Sequence, residues 1–212
     1  MVFLVLAALL LGIITFFAIA FFRVLLAMRD DILFPIELED LQSVKITPLK
    51  HVKSPTFSEQ KVGIIVYAIA ILFAAAMIFT LWHFQLELVP LLFYMAIAPL
   101  FHTKDLLNQF AVTKTGVMAG VRFMGWKQMK YYEWINIDKN HFYYGHAEDV
   151  NNSYELKIYG KLFSISCIVT TEETKEKLTG ILAEKEIRTV EPVIDDGIAQ
   201  KSTNIHKGKV GT

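Results

Sequence analysis

The sequence contains a single cysteine, Cys167, in 212 residues. One thiol cannot form a disulfide within the chain, and this scarcity is typical of a reducing compartment. Cys167 belongs to the alternating stretch LFSISCIV, in which it shares one strand face with Ile165 and Val169. We therefore expect Cys167 to be a buried core thiol and not a nucleophile.

The sequence also lacks the motifs that mark many enzymes and cofactor-binding proteins. It has no GxSxG elbow, HExxH helix, Walker loop, dinucleotide glycine fingerprint or Cys-x-x-Cys pair. The six histidines are dispersed along the chain, whereas a metal site needs several ligands that converge at about 2 Å. We therefore predict no catalytic residues, no metal and no cofactor.

Charge is absent from residues 1–22. About twenty consecutive apolar residues in a helix cross the roughly 30 Å of bilayer hydrocarbon, so this run predicts a membrane-spanning helix over 2–22. A cleaved signal peptide is the alternative, because Ala18-Ile19-Ala20 offers small residues at cleavage spacing. The missing basic residues before the run and its length favour the spanning helix.

Two further apolar runs follow. The run at 62–82 is preceded by Thr56 and Glu59 at the spacing of a capping box, which predicts a second spanning helix. The run at 84–101 contains Pro90 and Pro99, and we predict a third span there, with a re-entrant segment as the alternative.

The positive charges orient these helices. Lys and Arg occur in the segment 23–61 and after residue 101, whereas residues 83–87 have none. Because positive loops stay in the cytoplasm, we predict a multi-pass protein of the cell membrane. Its N-terminus lies outside, and both the loop 23–61 and the C-terminal part lie in the cytoplasm. Almost equal numbers of acids and bases after residue 101 argue against nucleic-acid binding.

The composition changes to β-type runs after residue 102. We predict strands at 110–114, at 117–123, in an aromatic region after Trp126, and at 141–145. The aromatic region lacks clean alternation, which indicates either a bulge or a strand that is exposed to water on neither face. A hairpin turns at Gly160-Lys161, and Thr170 with Glu173 predicts the capping box of an amphipathic helix. The predicted units are a membrane domain at 1–101, a cytoplasmic β domain at 102–189 and a mobile tail at 190–212.

Several short strands followed by one helix resemble a known group of bacterial membrane proteins, which carry a PH-like domain after two or three helices. The matching features are TKTGV at 113–117, Trp126 after Gly125, and YYEW at 131–134. The resemblance covers residues 100–188. It implies a mixed α/β membrane protein with three transmembrane helices and a small antiparallel PH-like β domain closed by one C-terminal amphipathic helix.

One stretch of the β domain has basic and aromatic residues and no acid. Between residues 106 and 132 the candidates for binding are Lys114, Arg122, Trp126, Lys127 and Lys130. An anionic leaflet attracts each such cation by about 1 kcal/mol when it lies near the surface. The alternatives are a solvated strand face for the cations and a core position for Trp126 and Trp134.

Two functional hypotheses remain open. The first is a non-enzymatic, membrane-anchored binding or scaffold protein, whose β domain presents a surface to a membrane or cytoplasmic protein partner or to lipid headgroups of the bilayer. The second is an enzyme or transport accessory that handles a lipid or small molecule in a pocket between helices and sheet. The small residues Ala8 and Gly12, and Ala70 and Ala74, permit close helix contact within the chain or in a homodimer.

Overall fold

The computed structural model describes residues 2–84 and 106–189, with two long helices and ten strands. The third predicted span, apart from Phe84, and the predicted tail at 190–212 lie outside the described residues. The helices are α1 (Val2–Ala27), α2 (Leu38–Ser43), α3 (Phe57–Phe84) and α4 (Glu172–Glu184). The strands are β1 (Ile32–Phe34), β2 (Val44–Thr47), β3 (Lys50–His51), β4 (Phe110–Thr113), β5 (Gly116–Ala119), β6 (Arg122–Gly125), β7 (Met129–Asn136), β8 (Tyr154–Gly160), β9 (Ser164–Val169) and β10 (Arg188–Thr189).

Helices α1 and α3 are both long and apolar enough to cross a membrane. Only 22% of each apolar window is buried, so most of this apolar surface faces outward, as a lipid-facing helix requires. Helix α3 begins beside Thr56, whose Oγ1 accepts a hydrogen bond from the Glu59 N–H at 3.4 Å. Both helices extend beyond the predicted bounds at their ends nearest the strands.

The two long helices pack against each other through small side chains of α3. Ala70 and Ala74 are buried against Ile14 of α1. The other predicted pair, Ala8 and Gly12, is exposed, and a Cβ added at Gly12 would meet no atom of the described residues within 4 Å. Close helix packing within the chain therefore uses one small-residue pair and leaves the other uncovered.

The strands form two sheets, to which the predicted cytoplasmic loop contributes. Sheet A has the order β1-β4-β5-β6, and sheet B has the order β10-β7-β8-β9-β2-β3. All neighbours are antiparallel except β10 and β7, which run parallel. Strand β1 pairs with β4 and β2 pairs with β9, so residues 32–51 are part of the β structure. Phe34 is 2% exposed and packs on Phe110.

The predicted strand at 117–123 is wrong, because the chain reverses inside it. Gly120 has φ +58°, and β5 and β6 pair as a hairpin across this turn. The predicted strand at 141–145 is also wrong. That segment closes on itself through the His141 N–H to Asp138 carbonyl bond and the Tyr144 N–H to His141 carbonyl bond, which leaves it as turns. The bulge in the aromatic region is confirmed by a register shift between Met129 and Tyr131.

The predicted hairpin at Gly160 and the amphipathic helix after it are present. Strands β8 and β9 pair antiparallel from Tyr159 with Ser164 to Tyr154 with Val169. Helix α4 is capped by Thr171 and not by Thr170, since the Thr171 side chain accepts from the Thr174 N–H. Its stripe buries Leu178 and Leu182 in the same core as Cys167.

Cys167 is 1% exposed, and this burial, followed by the charge of Glu155, raises the pKa of its thiol well above the ordinary value. The prediction of a buried cysteine is confirmed.

Sheet A lies between two apolar clusters. Alternate residues of β4, β5 and β6 face the core shared with sheet B, which contains Phe110, Val112, Val117 and Met124. The residues between them face the long helices. This helix-facing cluster contains Phe21, Val24, Ala27, Met28, Tyr67, Leu107, Ala111, Met118 and Val121, with Phe123 packed against it. The ends of α1 and α3 nearest the strands and the β structure therefore share one apolar contact.

We expect Gly63→Ala to destabilise this contact. A Cβ at Gly63 would lie 2.7 Å from the Leu106 carbonyl oxygen and 2.8 Å from Cδ2 of Leu107. Overpacking of this kind costs about 1–3 kcal/mol, which outweighs the roughly 1 kcal/mol by which Ala favours a helix over Gly. Thermal unfolding of the detergent-solubilised protein should show a lower Tm. Gly12→Ala is the matched control and should not lower it; equal losses from both variants would contradict the prediction.

Candidate functional site

A groove separates helix α1 from the edge of sheet A. Its polar compartment has a volume of about 550 Å³. The residues that line it come from the end of α1, the turn before β5, and β6 with the 3-10 turn that follows: Arg23, Leu26, Ala27, Arg29, Asp30, Thr115, Phe123, Gly125 and Gln128.

An apolar compartment of about 500 Å³ continues from the polar one, because Arg23, Phe123 and Gln128 line both. Its further lining residues come from α1, α3, the β5–β6 hairpin and the β8–β9 turn: Phe16, Phe17, Ile19, Ala20, Tyr67, Val121, Arg122, Leu162 and Phe163. We call the two compartments together the helix–sheet groove.

The groove runs along α1 from an apolar region to the end of the helix. Six residues separate Phe17 from Arg23, which corresponds to about 9 Å of helix. Arg29 lies just beyond Ala27, the last residue of α1. The groove therefore has aromatic side chains beside the apolar run of α1 and cations at the end of that run.

Two of the groove's arginines rest on aromatic rings. The Arg29 guanidinium carbon lies 5.6 Å from the centre of the Phe57 ring, and that of Arg122 lies 6.0 Å from the centre of the Phe163 ring. Arg122 Nη1 also donates to the Ser164 carbonyl at 3.4 Å. These distances are within the roughly 6 Å at which a cation is attracted to an aromatic ring, and a guanidinium has several N–H donors with which it can also bind an anion.

The acid in the groove is already engaged. Asp30 Oδ2 accepts hydrogen bonds from Thr115 Oγ1 at 2.7 Å and from the Thr115 N–H at 3.1 Å. The Thr115 hydroxyl bond is the largest effect on this carboxyl and helps to hold its pKa below the ordinary value. The described residues that line the groove thus include three arginines and one acid. The acid is hydrogen-bonded to Thr115 in the β4–β5 turn.

The structure distributes the five sequence-predicted binding residues over more than one place. Lys114 donates to Asp31 at 2.6 Å, and both side chains are exposed. This bond raises the pKa of Lys114. The stretch 106–132 has no acid of its own, but Asp30 and Asp31, which follow α1, contact Thr115 and Lys114 in the folded protein. Lys114 is therefore paired.

Trp126 supports the fold at the groove's rim. Its Nε1 donates to the Lys114 carbonyl at 2.9 Å, and its ring is half-buried against the core shared by the sheets. Lys127 is exposed in the turn Trp126–Gln128, whose last residue lines the groove, and Lys130 is exposed near the start of β7. Trp134 is also half-buried, and its Nε1 donates to Thr179 of α4.

Arg122 is the one predicted binding residue whose side chain lines the groove. Arg122 is the first residue of β6. Gly125, which lines the polar compartment, is the last residue of the same strand, about 10 Å away.

Arg23 and Arg29, which line the groove, did not emerge as candidates from the sequence. They lie in the last turns of α1 and just after it, whereas the sheet and turn residues that line the groove with them lie beyond residue 114. The available signal was their position directly after an uncharged apolar run, where cations are typical of a membrane interface.

Comparison with known proteins gave no match to a family model, to a curated protein or to a solved structure.

We expect Thr115→Val to lower the protein's Tm in a pH-dependent way. Because the folded-state pKa of Asp30 is lowered, its carboxylate stabilises the fold above the ordinary value of 3.8, and this contribution is lost as the pH falls through the lower folded pKa. The Tm difference between wild type and variant should stay constant from about pH 8 to about pH 5 and shrink below about pH 4. A difference that grows in acid would contradict the role given to Asp30.

Proposed function

We propose that the chain is a non-enzymatic, membrane-anchored binding protein that holds an anionic membrane lipid in the helix–sheet groove. One observation supports the proposal. A single groove combines an apolar compartment along α1 with the polar compartment, which has two arginines and one acid, at the end of that helix. A ligand that fits both must itself be apolar at one end and anionic at the other. A lipid of the adjacent leaflet has this form.

The side chains support specific roles. Arg23 and Arg29 present guanidinium groups at the helix end, and guanidinium binds phosphate through paired N–H···O bonds. Phe16, Phe17 and Phe123 offer aromatic surface to an acyl chain. The positive balance of the groove favours a headgroup with net negative charge over a zwitterionic one.

The same proposal includes three spans with the β domain in the cytoplasm. Gly63 lies against the backbone of Leu106, so Leu106 is beside the start of α3. Phe84 lies 21 residues beyond Gly63, or about 31 Å along the helix. Phe84 and Leu106, the described residues on either side of the predicted third span, therefore lie about the thickness of the hydrocarbon core apart, which supports that prediction.

The PH-like assignment remains a proposal. Antiparallel strands followed by α4 with its buried Leu178 agree with the order that the resemblance implies. A protein partner and a homodimer also remain predictions. Lys127 and Lys130 are exposed beside the groove for the first, and the uncovered Ala8 and Gly12 lie on α1 for the second.

Lipid affinity measured by native mass spectrometry tests the function. The full-length protein, purified in detergent, is titrated with phosphatidylglycerol and with phosphatidylcholine. We expect tighter binding of the anionic lipid. Arg23→Gln and Arg29→Gln should each weaken it by about tenfold or more, because a hydrogen bond to a charged group contributes about 1.5–3 kcal/mol.

Lys139→Gln is the matched control, because Lys139 is exposed and lies outside the groove. It removes the same charge and should leave the affinity unchanged. Equal affinities for the two lipids, or equal effects of Lys139→Gln and Arg23→Gln, would contradict the lipid site. A stoichiometric protein that co-purifies while the lipid affinities stay equal would favour the scaffold hypothesis instead.

A further inference from the structure

We propose that the turn between β8 and β9, residues Lys161, Leu162 and Phe163, inserts into the hydrocarbon of the cytoplasmic leaflet beside α1. We call these three residues the β8–β9 tip. This inference depends on α1 crossing the membrane and does not depend on which ligand the groove binds.

The tip exposes a large apolar side chain where an ordinary polar turn would be expected. Leu162 is 84% exposed, the highest value among the described large hydrophobic residues. Phe163 is half-buried and packs partly on the core. The fold gives this leucine little burial, and insertion into hydrocarbon would remove its side chain from water.

The depth of the tip follows from its neighbours on α1. Leu162 and Phe163 line the same apolar compartment as Phe16, Phe17 and Ile19. Phe17 lies six residues before Arg23, the first charged residue of α1, or about 9 Å from it along the helix. These helix residues belong to the middle and inner half of the apolar window Ala8–Ala27. A turn beside them is at the level of hydrocarbon and not of water.

The tip is held in this place by main-chain bonds. The Gly160 N–H donates to the Phe163 carbonyl at 3.0 Å and closes the turn, while the Lys161 N–H donates to the Gln128 carbonyl at 3.1 Å. The second bond ties the tip to the wall of the groove. Lys161 does not oppose insertion, because a lysine can bury its carbon stem and return its ammonium group to the headgroup region.

Fluorescence depth measurement tests the insertion. Leu162→Cys is labelled with the environment-sensitive dye NBD in the full-length protein, which is then reconstituted into phosphatidylcholine–phosphatidylglycerol vesicles. The native Cys167 is 1% exposed, and unsubstituted protein carried through the same labelling gives its background. Glu173→Cys is the control, because Glu173 is exposed at the start of α4, near the opposite end of β8 and β9.

The dye at position 162 should emit at shorter wavelength than the dye at position 173. It should also lose most of its fluorescence when doxyl-labelled lipids replace the ordinary ones, while the control keeps its own. Equal emission from the two positions, with no quenching at 162, would overturn the insertion. Failure of the arginine variants to weaken lipid binding would leave this result unaffected, so the two proposals fail separately.

Discussion

The structure depends on the apolar contact between the helix-facing side of sheet A and the ends of α1 and α3 nearest the strands. Met118 and Ala111 of the sheet lie against Phe21, Val24 and Tyr67 of the helices, and all five are buried. Because sheet A has apolar residues on both faces, it needs a second cover besides sheet B, and the helix ends supply it. Without this contact the groove would have only one wall.

That contact also determines the electrostatics. It brings the end of α1 against the β4–β5 turn, so Asp30 and Asp31 meet Thr115 and Lys114 instead of the groove's arginines. Asp31 is thereby paired with Lys114, whereas Asp30 lines the polar compartment and is held there by Thr115. The polar compartment therefore has two arginines and one hydrogen-bonded acid, and the proposed preference for an anionic lipid rests on this excess of positive charge.

Much of the local structure followed from the sequence. The uncharged run, the Thr56 cap, the β8–β9 hairpin and the buried Cys167 depend on nearby residues, and all of these features occur. The failures involve distant partners or backbone reversal. The turn at Gly120 and Val121 interrupts an apolar run that reads as one strand, and it carries residues on either side of it to opposite faces of sheet A.

Long-range pairing accounts for the other differences between sequence and structure. Strands β1 and β2 are short, and their pairing with β4 and β9 spans many intervening residues, so 23–61 reads as a loop. The sequence could offer Arg122 as a candidate from its basic and aromatic neighbours, whereas the convergence of Arg23, Phe16 and Phe123 depends on distant partners and could not be predicted. A site built between helix and sheet appears only when the two are docked.

The most direct test of the account is a photo-crosslink from Phe123, which lies on β6 and lines both compartments of the groove. The residue is replaced by p-benzoylphenylalanine in the full-length protein, and Tyr154, a half-buried aromatic residue at the far end of β8, serves as the control. After irradiation in native membranes, the account predicts lipid adducts at position 123 and none at 154. Absence of lipid adducts at position 123 would show that sheet A does not form a lipid-accessible groove with α1, and would contradict the central claim.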